Sequence, residues 1–154
     1  MTTTTTDRIE KEIVLRAPRS RVWRAITDSK EFGTWFQAVL TEPFRPGARL
    51  KGRVTYPGYE HVQFDIVVEK MEPERLFSYR WHPNAVDPKT DYSKEPMTLV
   101  EFTLEDVEGG TRLKLVESGF DAIPIARRAQ ALKSNDGGWT AQMTAIEAHL
   151  RRNP

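Results

Sequence analysis

Between residues 48 and 118 the hydrophobic pattern repeats every second residue; after residue 124 it repeats every three or four. That switch constrains the fold more than any other feature. A period of two builds half-buried strands, and a period near 3.6 builds an amphipathic helix. Five strands are predicted in series. Residues 48–56 set Leu50, Val54 and Tyr56 on one face, with Arg49, Lys51 and Arg53 on the other. Residues 60–71 turn Val62, Phe64, Ile66 and Val68 inward, and residues 75–82 do the same with Phe77, Tyr79 and Trp81. Residues 97–106 align Val100, Phe102 and Leu104, and residues 111–118 align Leu113, Leu115 and Glu117. Pro57-Gly58, Glu72-Pro73-Glu74 and Gly109-Gly110 supply turn chemistry, so most of these strands are expected to pair antiparallel with their neighbours.

The helical seam is Ile125, Ala129, Leu132, Asp136, Trp139, Met143, Ile146 and Leu150, at alternating steps of four and three. It runs through Gly137-Gly138, although each glycine inside a helix costs about 1 kcal/mol against alanine. The glycines either divide two helices or sit in one long helix where a neighbouring backbone comes close. The unbroken register favours one helix over about residues 124–152. Ahead of the strands, residues 8–16 read as a first strand with Ile9, Ile13 and Leu15 on one side. Pro18 then suits the first turn of a helix carrying Val22, Trp23 and Ile26. Asp28-Ser29 can cap a second short helix, residues 30–36, with Phe32, Trp35 and Phe36. The expected class is α+β: a curved antiparallel sheet of about six strands around a long C-terminal helix, with two short helices after the first strand. Only that last helix is long enough to cover the apolar sheet face. Residues 8–152 are expected to form one domain, and the threonine-rich residues 1–7 a flexible tail.

Composition narrows the function. Lys and Arg number 23, Asp and Glu 22, for a net charge of +1. Bulk attraction to nucleic acid is not expected. Cysteine is absent, which excludes disulfides and thiolate metal sites. No apolar run reaches the ~20 residues of a membrane helix, and no secretory signal is seen; a cytoplasmic location is expected. No nucleophile elbow, phosphate loop or dinucleotide fingerprint occurs. His61, His82 and His149 lack partners at metal-ligand spacing, so neither metal nor cofactor is expected. His149 is placed on the exposed side of the last helix, and Arg127-Arg128 on its surface.

Seven Phe, four Tyr and four Trp remain to be placed. Tyr56, Phe64, Phe77, Tyr79, Trp81 and Phe102 fall on inner faces opposite Trp139 and Met143. They either fill a core or line a hollow. Phe32, Trp23 and Trp35 are expected in a separate plug at one end of the sheet. Glu117 shares a face with Leu113 and Leu115, so it is either wet at a cavity mouth or a polar anchor for a ligand. Asp136, on the helical seam, poses the same choice. Residues 83–96 form a fourteen-residue loop, long for a hairpin, that suits a cavity cover or a dimer contact.

Several motifs resemble the Bet v 1-like, START-like (SRPBCC) helix-grip superfamily, most of all the family named after the C-terminal domain of the activator of Hsp90 ATPase. They are Ala17-Pro18 leading into Val22-Trp23-Arg24-Ala25-Ile26-Thr27-Asp28, then Trp35, Phe44-Arg45-Pro46-Gly47, and Pro73-Glu74-Arg75-Leu76 before Tyr79-Arg80-Trp81. Gly110-Thr111-Arg112-Leu113 and Gly138-Trp139 complete the set. The resemblance implies a cavity between sheet and long helix for a small hydrophobic or amphipathic molecule or lipid. The expected ligand-binding residues are Tyr56, Phe64, Phe77, Tyr79, Trp81, Phe102, Glu117, Asp136, Trp139 and Met143, with no catalytic residue assigned. A chaperone-associated role is the alternative. A cyclase-like enzyme using Glu117, His82 or Tyr79 is the third. A homodimer through an exposed edge strand is also expected to be open to such a chain.

Overall fold

The computed structural model describes residues 8–154; the tail at residues 1–7 lies outside them. Strand β1, Arg8–Leu15, leads to helix α1, Arg19–Thr27, and helix α2, Ser29–Phe36. Then come β2, Ala38–Val39, β3, Arg49–Val54, β4, Gln63–Glu72, and β5, Leu76–Trp81. Strands β6, Thr98–Val107, and β7, Gly110–Ser118, precede a short turn at Phe120–Ala122 and helix α3, Ile125–Arg152. Every strand pair is antiparallel, in the order β1-β7-β6-β5-β4-β3-β2. The curved sheet grips α3, while α1 and α2 cross from one edge to the other.

Local chemistry explains the element ends. The Pro18 carbonyl accepts the N–H groups of Arg21 and Val22 at 2.9 and 3.1 Å, opening α1. Asp28 Oδ1 accepts from the Lys30 and Glu31 backbone at 2.9 and 3.1 Å, as an N-cap should. α3 runs unbroken through Gly137 and Gly138.

Seven strands stand where about six were expected. The extra one, β2, is two residues long and carries no periodicity to detect. Two glycines make room for it: a side chain at Gly33 would strike the Ala38 carbonyl, and one at Gly52 the Val39 carbonyl. Strand β3 also stops at Val54, so Tyr56 leaves the inner face and lies half exposed in the turn.

The helical seam holds in only one half of α3. Trp139, Met143, Ile146 and Leu150 are buried, but Ile125 is 82% exposed and Asp136 points to solvent, 3.0 Å from Lys11 Nζ. In the first half the buried position is Ala131 instead. Leu132 keeps only a partial contact with the core. His149 is buried as well, contrary to the surface placement expected for it: its Nε2 lies 2.8 Å from Glu31 Oε1. Gly137 and Gly138 are not approached by any neighbouring backbone. A Cβ built at either would meet nothing within 4 Å.

Ten of the aromatics form one continuous network that joins Phe32 and Trp35 of the expected plug to the expected cavity wall, while Trp23 and the Tyr56–Tyr59 pair stand outside it. Phe32 lies 5.7 Å from Phe64 and 6.3 Å from Tyr79, between ring centroids. Phe36 reaches Trp81 at 6.0 Å, and Trp81 reaches Trp139 at 5.7 Å. Phe64, Phe77, Tyr79 and Phe102 are buried within this network. Short helix and sheet share one core because α2 packs directly over β4 and β5.

Candidate functional site

Strand register assembles the site. Trp81 on β5 pairs with Thr98 on β6, and Val100 on β6 pairs with Glu117 on β7. Thr98 and Val100 share a face, so Glu117 sits diagonally from Thr98 under α3. Its side chain is completely buried. It is not wet. Oε1 accepts Trp139 Nε1–H at 2.8 Å and Asn135 Nδ2–H at 3.0 Å. Oε2 accepts Trp81 Nε1–H at 2.8 Å and Thr98 Oγ1–H at 2.6 Å. Buried polar groups must be bonded to be tolerated, and here four neutral side chains do that work. No ion pair to Glu117 exists among the described residues.

Glu117 thereby locks two indoles. Trp81 and Trp139 stack with planes 30° apart. Both line a cleft of about 370 Å³ between the β3–β4 turn and the middle of α3. Phe36, Val54 and Val62 supply aliphatic and aromatic wall, and Tyr56 and Tyr59 stand half exposed at its mouth. Asn84, Asn135 and Gln142 supply amide groups, and Gly138 leaves a gap in the helix wall. A smaller recess of about 120 Å³ continues from it past Phe64 to Asp65 and His82.

Among the residues singled out from sequence, Tyr56, Trp81 and Trp139 meet at this cleft, and Phe64 borders the recess. Phe77, Tyr79, Phe102 and Met143 pack in the core and line neither. Glu117 lies directly beneath the cleft floor. Asp136 is on the other side of α3 with Lys11. The Tyr79 hydroxyl is buried without a hydrogen-bond partner, and its pKa is raised well above the ordinary tyrosine value, first by burial and then by the nearby Glu117 charge. Asn135, Asn84, Gln142 and Tyr59 were missed. Asn135 is one step off the predicted seam, and its partner Glu117 lies on a different element, β7.

The loop at residues 83–96 is tied to α3 by Arg127, which is no free surface cation. Its Nη1 donates to the Pro83 carbonyl at 2.8 Å and its Nε to Glu95 Oε1 at 2.8 Å. Its guanidinium also lies 4.7 Å from the Tyr92 ring centroid. Nearer the cleft, Ser134 Oγ bonds Asn84 Oδ1 at 3.2 Å, and His61 Nε2 lies 2.9 Å from the Val86 carbonyl. His82 Nε2 is 3.0 Å from the Glu95 carbonyl. On the outer sheet face Arg49 pairs across strands with Asp65 at 2.7 Å.

The model of one protein family, described as Activator of Hsp90 ATPase homolog 1-like protein, matches residues 16–151. The chain belongs to this family. Solved structures share its fold. A protein of Mesorhizobium loti is 24% identical, with a TM-score of 0.75, over 96% of this chain and 98% of its own. DynU16, a protein in the dynemicin biosynthetic locus, is 24% identical with a TM-score of 0.72; 94% of this chain aligns to 47% of it. The Aha1 dimer of Colwellia psychrerythraea, solved in solution, is 17% identical with a TM-score of 0.68, over 91% of this chain and 92% of that one. No curated protein sequence matches the chain. Among the described residues of this family member, no helix is long and apolar enough to cross a membrane, and no His, Cys, Asp and Glu group gathers as metal ligands.

Proposed function

We propose that the chain binds a small apolar or amphipathic molecule in the cleft beside α3. One observation carries this reading. Gly138 sits inside a helix at a cost of about 1 kcal/mol against alanine, yet no neighbour fills the space its side chain would take. The space belongs to the cleft. Gly137 meets the same open space, and what sets Gly138 apart is that a side chain there would enter the cleft. The lining has the character of small-molecule sites in general, mostly apolar with a few fixed polar groups, and Glu117 preorganises its two indoles.

A cyclase-like reading draws less support. Glu117 and Tyr79 expose nothing to the cleft, and Glu117 is already bonded on both oxygens. The family description and the Colwellia dimer make a chaperone partner and a homodimer testable by pull-down and sedimentation, but no side-chain arrangement here favours either over ligand binding.

The test is native mass spectrometry of the chain purified from its own host, beside a Gly138→Leu variant. Bound mass on the parent and none on the variant is the expected result. An empty parent, or equal loading of both, would sink the reading.

A further inference from the structure

The electrostatics of the cleft are unusual for so charged a chain. Charged residues make up 29% of the sequence, yet not one of the side chains lining the cleft carries a formal charge. Its polar groups are amides and hydroxyls, Asn84, Ser134, Asn135 and Gln142 among them, with the phenols of Tyr56 and Tyr59. A carboxylate or phosphate ligand would lose its hydration there and find no Lys or Arg to replace it. Anionic lipids and fatty acids are therefore poor fits.

A positive ligand finds the opposite. Beneath the floor lies Glu117, a buried carboxylate with no cationic partner among the described residues. It accepts the N–H of both floor indoles at 2.8 Å. A hydrogen bond from an indole N–H to an anion moves electron density into the ring. The part of Trp81 that the cleft leaves uncovered thus becomes a better partner for a cation, with the buried Trp139 ring stacked behind it. Tyr56 and Tyr59, 5.8 Å apart between centroids, add two more π systems at the mouth. Aromatic rings without a lining carboxylate select weakly hydrated organic cations over metal ions or primary ammonium groups, because the site offers π faces in place of strong acceptors. The overall charge of +1 does not attract cations in bulk, so the preference is local.

We propose that the cleft takes a soft organic cation, a quaternary or heavily alkylated ammonium group, held on the aromatic rings above the Glu117 carboxylate. The proposal rests on the cleft-binding reading above and names the chemistry of its ligand.

A matched pair of probes tests it. Benzyltrimethylammonium and neopentylbenzene have nearly the same shape and differ by one positive charge. Equilibrium dialysis should show the cation bound at least tenfold more tightly. Gly138→Leu should weaken the cation at least tenfold. In Trp81→Leu, which removes one ring and keeps Glu117, the preference for the cation should shrink toward parity. Glu117→Gln should shrink it too, with a circular-dichroism spectrum to confirm the fold. Equal or tighter binding of neopentylbenzene overturns the cation assignment while leaving the cleft in place. Failure of both probes to bind, or binding that Gly138→Leu leaves intact, overturns the cleft reading itself. Dihexanoylphosphatidylcholine below its micellar concentration separates the sources of such a group. Displacement of the probe at lower concentration than choline points to a lipid headgroup, and the reverse order to a free ammonium compound; either order supports the assignment. Displacement by neither overturns it.

Discussion

Glu117 and Tyr79 show how differently two buried polar side chains can be treated at the residue scale. Glu117 is surrounded by donors. Replacing it with leucine strands the indole N–H groups of Trp81 and Trp139, the Asn135 amide and the Thr98 hydroxyl, and each stranded buried donor costs about 1–3 kcal/mol before relaxation. Glu117→Leu should lose about 3 kcal/mol or more in urea unfolding, with the tryptophan emission shifted to the red as the indoles loosen. A variant as stable as the parent would mean that water replaces the carboxylate. Tyr79 is the reverse case. Its hydroxyl has no partner, so deleting it removes a desolvated group and leaves the packed ring. Tyr79→Phe should raise stability by about 1 kcal/mol; a drop in the urea midpoint would reveal a partner for the hydroxyl in solution. Alternation along β7 was enough to turn Glu117 inward, but its saturation depended on Asn135 and on two indoles from distant elements, which no local pattern reports.

At the scale of elements, α3 is the informative one. The period of its apolar residues revealed its length, and the unbroken register through the glycines argued rightly for one helix. The face was legible only from Trp139 onward, where large side chains define it. Before that, Ala129 follows the period but is exposed, Leu132 is only partly buried against the core, and Ala131 is the buried position. A glycine pair in a helix suggests a close backbone contact, but both glycines face open space. That yields a paired expectation. Gly137 does not line the cleft, so Gly137→Ala should stabilise the helix by about 0.5–1 kcal/mol and leave probe binding unchanged. A loss of stability there would mean that the helix does not tolerate a side chain at this position. The loop at residues 83–96 was legible as long but not as held, because its clamp, Arg127, comes from an element more than thirty residues later. Arg127→Ala should speed amide hydrogen exchange through residues 84–95 at least tenfold, since it removes an ion pair, a carbonyl contact and a ring contact together; unchanged exchange would show the loop is held from the sheet side alone.

Taken whole, the molecule joins α1, α2 and the end of α3 through a charged cluster as well as through buried apolar residues such as Val22, Ile26, Ile146 and Leu150. Arg21 of α1, Glu31 of α2 and His149 of α3 meet there. Arg21 Nη2 donates to Glu31 Oε1 at 2.8 Å, and Arg21 Nε and Nη2 reach the Asn153 carbonyl at 2.9 and 2.7 Å. His149 Nε2 lies 2.8 Å from the same Glu31 oxygen, and Arg24 Nε reaches the other at 3.0 Å. The resemblance and the two periodicities made the helix-grip architecture legible, but not this latch, since its members are 132 residues apart at the extremes. Burial pushes the Glu31 pKa up. The hydrogen bonds from His149, Arg21 and Arg24, with the Arg21 charge, more than offset that and hold it below the ordinary value of 4.5. A carboxylate lowered on folding stabilises the fold fully above its unfolded pKa, and that contribution fades as pH falls through the lower folded value. Glu31→Gln should therefore be less stable than the parent at pH 7, by about 2 kcal/mol for charge-assisted bonds of this kind. The gap should narrow as pH drops below about 4.5, because the parent then loses what the variant already lacks. Urea midpoints for both proteins at pH 7, 5, 4 and 3 measure the gap, and a constant difference across that series would remove Glu31 as the acid-sensitive element of the latch.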